Sequence, residues 1–215
     1  MPIRKIPKNY RNVTGVAASR KAIGSAEFES TLERDFIALL EFSPEVERFE
    51  VQPLKIVWRE ELGNLRSYTP DVLVEFKPDI GRSPWLCEVK YRADLKKDWD
   101  EMKPKLRQGV HHARLRNWRF RLVTEVEIRT TYLKNVRFLR PFKYRRIPDS
   151  STERLLAQLR SVQCTTPTGL IHAITADARG QAEWLPALWH LMACHRVGVN
   201  LESALTMDTP IWSVS

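Results

Sequence analysis

The sequence predicts an α/β core followed by a small, mostly helical C-terminal domain. Two features predict it. The elements run helix, three strands, helix, strand before a switch to helices. The sign of the charge also reverses at a junction, Arg145–Ser151, that combines Arg, Pro and Ser. Up to Arg146 there are 31 Lys and Arg against 20 Asp and Glu, and from Ile147 to Ser215 there are 4 against 6. At 215 residues the chain suits one large domain, or a domain of about 140 residues with a smaller companion. The second reading gives a basic arm at 1–25, a core at 26–146 and a C-terminal domain at 147–215.

Each element has its own signal. Residues 1–25 hold six Lys and Arg before the first acid, Glu27, and read as an extended arm that lies on DNA or trails as a tail. Glu27–Phe42 is predicted to be a helix: Phe28, Leu32, Phe36, Leu39 and Leu40 recur at helical spacing, and Ser43-Pro44 ends it. Glu47–Trp58 reads as a strand interrupted at Pro53. Glu60–Ser67, with Gly63-Asn64, is a hairpin turn. Tyr68–Phe76 and Pro84–Tyr91 are further strands. A helix over 94–114, disturbed near Pro104, precedes a strand at Trp118–Glu125 and a short helix at Glu127–Phe142. Beyond the junction, Ser150–Leu159, Thr166–Ile174 and Glu183–His195 read as three helices, the last with Pro186 near its start. Two β-like runs follow, Gly198–Leu201 and Pro210–Val214. Three helices and a hairpin are the order of a winged helix.

Composition excludes several classes. No apolar run approaches the ~18 residues of a membrane span. The N-terminus has no apolar stretch of a secretory leader. Cys87, Cys164 and Cys194 are scattered and lack CxxC spacing, which argues against a disulfide framework or a zinc site and points to a reducing, cytoplasmic setting. The net charge of +9 fits a polyanion such as DNA as partner, or simply a soluble basic surface.

The chemistry concentrates in Tyr68-Thr69-Pro70-Asp71 and Cys87-Glu88-Val89-Lys90. Strand side chains alternate faces, so Glu88 and Lys90 share one face while Val89 and Tyr91 take the other. Asp71 opens the preceding strand, after a proline. If the two strands pair, Asp71 and Glu88 converge. Two carboxylates bind a hard divalent cation through oxygen. Such a cation polarises a phosphoryl oxygen and activates water, and the lysine orients that water or offsets charge on the phosphorane. The alternative is an exposed Glu–Lys pair on a half-buried strand. A third carboxylate comes from Glu33, which shares a helical stripe with Ile37 and Leu40. A charge there is expected to find a cation or a hydrogen-bond donor. Glu29, one turn earlier, competes for the role.

Together, the segments STLERDFIALLEFSP, VQPL, YTPDVLV, CEVKYRADL, KPKLR and FRLVTEVEIR resemble TnsA, the endonuclease subunit of heteromeric cut-and-paste transposases, including CRISPR-associated ones. The resemblance runs from about Phe28 to Leu139. It implies a restriction-endonuclease-like PD-(D/E)xK core and a winged-helix C-terminal domain. It also implies that Glu33, Asp71, Glu88 and Lys90 are catalytic, with Glu33, Asp71 and Glu88 holding Mg²⁺ (or Mn²⁺ in its place). The expected activity is cleavage of the 5′ strands at transposon ends in double-stranded DNA. The implied partners are a TnsB-type transposase and a TnsC-type ATPase. Action at the bacterial nucleoid is the corresponding expectation. The rivals are a stand-alone restriction or junction-resolving nuclease, and a scaffold that bridges transposase and ATPase.

Two further features bear on function. Seven basic residues and no acid occupy Met102–Thr124. Among them Lys103, Lys105, Arg107, Arg114 and Arg116 read as DNA-contacting or as a solvated helix face. Gln52 is either site support or a strand-edge side chain. The acidic balance beyond Ile147 favours protein binding over DNA binding for the C-terminal domain, and with the partners the resemblance implies, the expectation is docking of the ATPase or the transposase subunit.

Overall fold

The computed structural model describes residues 13–60 and 63–214, apart from the side chains of Ala178 and Arg179. The chain divides into two units, one ending at Ile128 and the other beginning at Arg129. None of the described helices is long and apolar enough to cross a membrane.

In the N-terminal unit, β1 (Gly15–Val16), β2 (Ala22–Ile23) and β3 (Glu27–Phe28) precede α1 (Thr31–Phe42). Then come β4 (Val46–Val51), β5 (Ile56–Arg59), β6 (Leu65–Tyr68), β7 (Val72–Phe76), β8 (Trp85–Val89), α2 (Arg92–Lys97), α3 (Trp99–Leu115), β9 (Arg119–Val123) and α4 (Glu125–Ile128). The central sheet is mixed and has the order β2-β4-β7-β8-β9. Its middle pairs, β4–β7 and β7–β8, are antiparallel, and both edge strands pair in parallel. The strand interiors are apolar: Phe49, Val74, Leu86 and Cys87 are fully buried, so burial on both faces holds the sheet. α3 covers one face, where Ala113 packs with Leu73 and Leu86 beside Trp118 and Phe120. Gly109 makes that approach possible, since a Cβ there would lie 2.5 Å from the Phe120 ring.

Several expectations are corrected. The predicted strand over Glu47–Trp58 breaks at Gln52, whose φ is +49°, and Pro53. The chain leaves the sheet there and forms a separate hairpin, β5–β6. Tyr68 ends that hairpin instead of opening the next strand, because Pro70 cannot donate to a ladder. The long helix breaks at Asp98 and runs through Pro104. The first twelve residues, with four of the arm's six basic residues, lie outside the described residues. The rest of that segment is no arm: β2 pairs with β4, and the Glu41 carboxylate accepts the backbone N–H groups of Arg20 and Lys21.

The C-terminal unit comprises α5 (Thr131–Lys143), α6 (Asp149–Val162), β10 (Cys164–Thr165), α7 (Pro167–Ile174), α8 (Ala178–Ala193), β11 (Val197–Val199) and β12 (Ile211–Ser213). Its small sheet is antiparallel with the order β10-β12-β11. Thr166 and Asp177 cap α7 and α8 by accepting the N–H groups of Gly169 and Gly180. Pro186 sits well inside α8. The expected boundary at 146/147 moves to 128/129. Leu133, Val136 and Leu139 form a buried stripe on α5, which packs on α8, so the Pro/Ser-rich junction is only the α5–α6 turn. Charge follows the boundary. The C-terminal unit holds eleven Lys and Arg against six Asp and Glu and is net +5, not acidic. Asn135 fixes the loop before β12: its amide donates to Leu201 O and Ser203 O, both at 2.7 Å, and its oxygen accepts from Leu205 N–H at 3.2 Å.

Candidate active site

β7 and β8 pair with Val72 opposite Cys87 and Leu73 opposite Leu86. One step along this register, Asp71 lies opposite Glu88, and its N–H donates to Cys87 O at 3.0 Å. Alternation then sends Asp71, Glu88 and Lys90 to one face. Val89 turns away and is buried, but its N–H donates to Asp71 Oδ2 at 2.6 Å. The proline before Asp71 frees the residue from regular pairing, so its carboxylate can fold back onto the neighbouring strand.

Glu88 is 4% exposed. Its Oε2 accepts the Tyr68 hydroxyl at 2.6 Å, and its Oε1 lies 3.5 Å from Lys90 Nζ. Burial pushes the Asp71 carboxyl up to about 8; Glu88 adds to the push, while Lys90 and the Val89 N–H resist it. Burial likewise raises Glu88, against the opposing pull of Lys90 and Tyr68. Burial alone lowers Lys90, but the carboxylates of Asp71, Glu88 and Glu33 outweigh it and raise the ammonium. Tyr68 is raised far above the usual phenol range, by burial and then by Glu88. It therefore stays a proton donor to Glu88.

Two carboxylates on one buried face, with one lysine between them and solvent, are short of positive charge. Their oxygens suit a hard divalent cation such as Mg²⁺, and two added positive charges would restore both to the ionised form. Glu33 is less committed. It is half-buried and sits in a capping box: its N–H donates to Ser30 Oγ at 3.1 Å, and its Oε1 accepts the Ser30 hydroxyl at 2.9 Å. Its Oε2 accepts the Glu29 N–H at 2.9 Å. The charge on this helical stripe has thus found donors. Among the described residues, no three His, Cys, Asp or Glu side chains form a metal-holding group. Glu33 nevertheless lines the same cleft as Lys90, about 280 Å³ in volume. Glu29 lines it too, and its Oε1 accepts the Gln52 amide at 3.3 Å. Gln52 also donates its backbone N–H to Asp71 O at 2.8 Å, which ties its backbone to the residue that carries the carboxylate.

The sequence reading missed four participants. Ser30-x-x-Glu33 was legible as a capping box. Tyr68 lay inside the quoted motif, but no periodicity signals that a hairpin end reaches Glu88. Asp94 and Asp98 line the cleft only because α2 breaks from α3 beside it. Lys103, Lys105, Arg107 and Arg114 stand exposed on α3, and Arg116 caps its end over Trp118 at 5.6 Å.

Residues 43–125 match the model of the TnsA-like endonuclease N terminal, and residues 127–201 match that of the TnsA endonuclease C terminal. The chain belongs to the TnsA endonuclease family. The two TnsA matches meet within three residues of the division between the structural units. Gln52, Asp71, Glu88 and Lys90 fall inside the N-terminal TnsA match, whereas Glu33 precedes it. A search of the curated proteins finds no match.

Proposed function

We propose that this TnsA-family chain is the Mg²⁺-dependent endonuclease subunit of a transposase and cuts the 5′ strands at transposon ends. The observation that carries the reading is the β7–β8 register, which sets Asp71 against Glu88 with Lys90 on the same face. Asp71 and Glu88 would hold the cation, with Glu33 joining by leaving its cap. The bound cation supplies Lewis-acid polarisation of the scissile phosphate and a more acidic water. Lys90 carries the charge that offsets the growing negative phosphoryl oxygens. Tyr68 keeps Glu88 in one rotamer. Exposed Lys103, Lys105, Arg107, Arg114 and Arg116 contact the phosphate backbone of the DNA.

The C-terminal domain is read as a winged helix that docks the TnsC-type ATPase, while a TnsB-type transposase acts on the other strands. The order α6-β10-α7-α8-β11-β12 supports the first point. Partner docking is favoured by the sequence of α8, which has no Lys or Arg besides Arg179, and by the loop Asn200–Pro210, whose charged residues are Glu202 and Asp208. In an end-cleavage assay with transposase, ATPase and Mg²⁺, Asp71→Ala is expected to remove 5′-strand nicking by at least about a hundredfold while complex assembly persists. Cleavage at the wild-type rate would overturn the assignment.

A further inference from the structure

Beside the candidate active site, α3 carries a second surface. Asp98 and Met102 line the cleft that holds Lys90. Their neighbours on the helix, Trp99 and Lys103, line a different one, an open cleft of about 390 Å³ floored by Leu106 and Val110. Arg107, His111 and Arg114 complete its rim. Trp99 also borders an adjoining shallow cleft with Arg92, Leu95 and Lys96. The indole is 44% exposed at the meeting point of the two. None of the residues lining either cleft is acidic. An exposed indole over an apolar floor, edged on both sides by cations, is more than a solvated helix face.

Lys103, Arg107 and Arg114 lie on one side of α3. The first two are four residues apart, an advance of about 6 Å that is comparable to one nucleotide of an extended strand, and Arg114 stands about 10 Å further along. A duplex hides its base faces in the stack and shows such a surface only phosphates. An unpaired base has a face to offer.

We propose that the Trp99 cleft binds unpaired nucleotides, with one base stacked on the indole and phosphates of the same strand held by Lys103, Arg107 and Arg114. The proposal rests on the reading of DNA as substrate, and it adds that the strand is opened next to the cleavage site. Cation–π contact from flanking basic side chains strengthens such stacking.

The test is fluorescence anisotropy with labelled oligodeoxythymidylate and with a duplex of equal length, using full-length protein in chelator so that no cleavage occurs. Trp99→Ala is expected to weaken oligodeoxythymidylate binding about 5- to 100-fold and duplex binding far less, while Trp99→Phe keeps most of the affinity. Bound oligodeoxythymidylate should quench tryptophan fluorescence in the wild type and less in Trp99→Phe. Arg107→Ala provides a second variant at an exposed position and should weaken oligodeoxythymidylate as well. Equal losses for single strand and duplex, or none for the single strand, overturn the proposal and leave the nuclease reading standing. Absence of binding to either DNA by the wild type overturns both. Loss of binding to an acidic amphipathic peptide in Trp99→Ala, with oligodeoxythymidylate unaffected, assigns the cleft to a protein partner and overturns the proposal.

Discussion

Among the described residues of the N-terminal unit two glutamates are buried, Glu41 and Glu88, and they are treated differently. Glu41, 1% exposed in the last turn of α1, receives the Ser19 hydroxyl and the backbone N–H groups of Arg20 and Lys21. Those donors belong to the segment that leads into β2, so the carboxylate fastens that segment beside the sheet. Glu88, 4% exposed on β8, has the Tyr68 hydroxyl, a lysine at 3.5 Å and a second carboxylate, Asp71, on the same face. A buried charge ringed by fixed donors is a structural element. A buried pair of like charges with too little to balance them costs stability, and such sites are retained for chemistry.

The sharpest test of that contrast at a single atom is Tyr68→Phe, which removes one donor to Glu88 and little volume. Cleavage of transposon-end DNA is expected to fall about 10- to 100-fold, as for outer residues that orient metal ligands. The Mg²⁺ concentration for half-maximal rate should rise, while thermal stability changes little. An unchanged Mg²⁺ requirement would separate Tyr68 from the site.

Stability measurements should divide the two glutamates in the opposite sense. Glu41→Ala is expected to cost about 1–3 kcal/mol at neutral pH, with cleavage per folded molecule retained. The Asp71–Glu88 pair gives a pH signature instead. The folded state keeps the Asp71 proton up to about 8, whereas the ordinary value is 3.8. Between those limits the folded state binds more protons, so stability in chelator falls as pH rises from about 4 toward 8. Glu88, also raised, acts in the same direction. Asp71→Asn should flatten this slope in denaturant melts. A slope identical to the wild type would show that the pair is not protonated in the folded state.

The sequence made much of this legible, for particular reasons. Period-two alternation placed Glu88 and Lys90 together, because β8 is regular to Val89. The meeting of Asp71 and Glu88 depended on the β7–β8 register, which the YTPD and CEVK segments imply only once the strands are known to be neighbours. What escaped was set by long-range contact. Tyr68 reaches Glu88 through a hairpin outside the main sheet. The apolar stripe of α5 looks the same from sequence whichever unit it joins, and that ambiguity misplaced the boundary and the charge balance with it. The Glu33 stripe signals a charge that needs a partner, but not that the Ser30 hydroxyl and the Glu29 N–H of its own helix start are the donors it meets.

The central claim is that Asp71 and Glu88 share a divalent cation. Titration calorimetry of Mn²⁺ into the full chain, followed for wild type, Asp71→Asn, Glu88→Gln and Glu41→Gln, tests it most directly. The account predicts that the first two substitutions each weaken binding at least about tenfold and that Glu41→Gln leaves it unchanged. Equal Mn²⁺ affinity in all four proteins would contradict it.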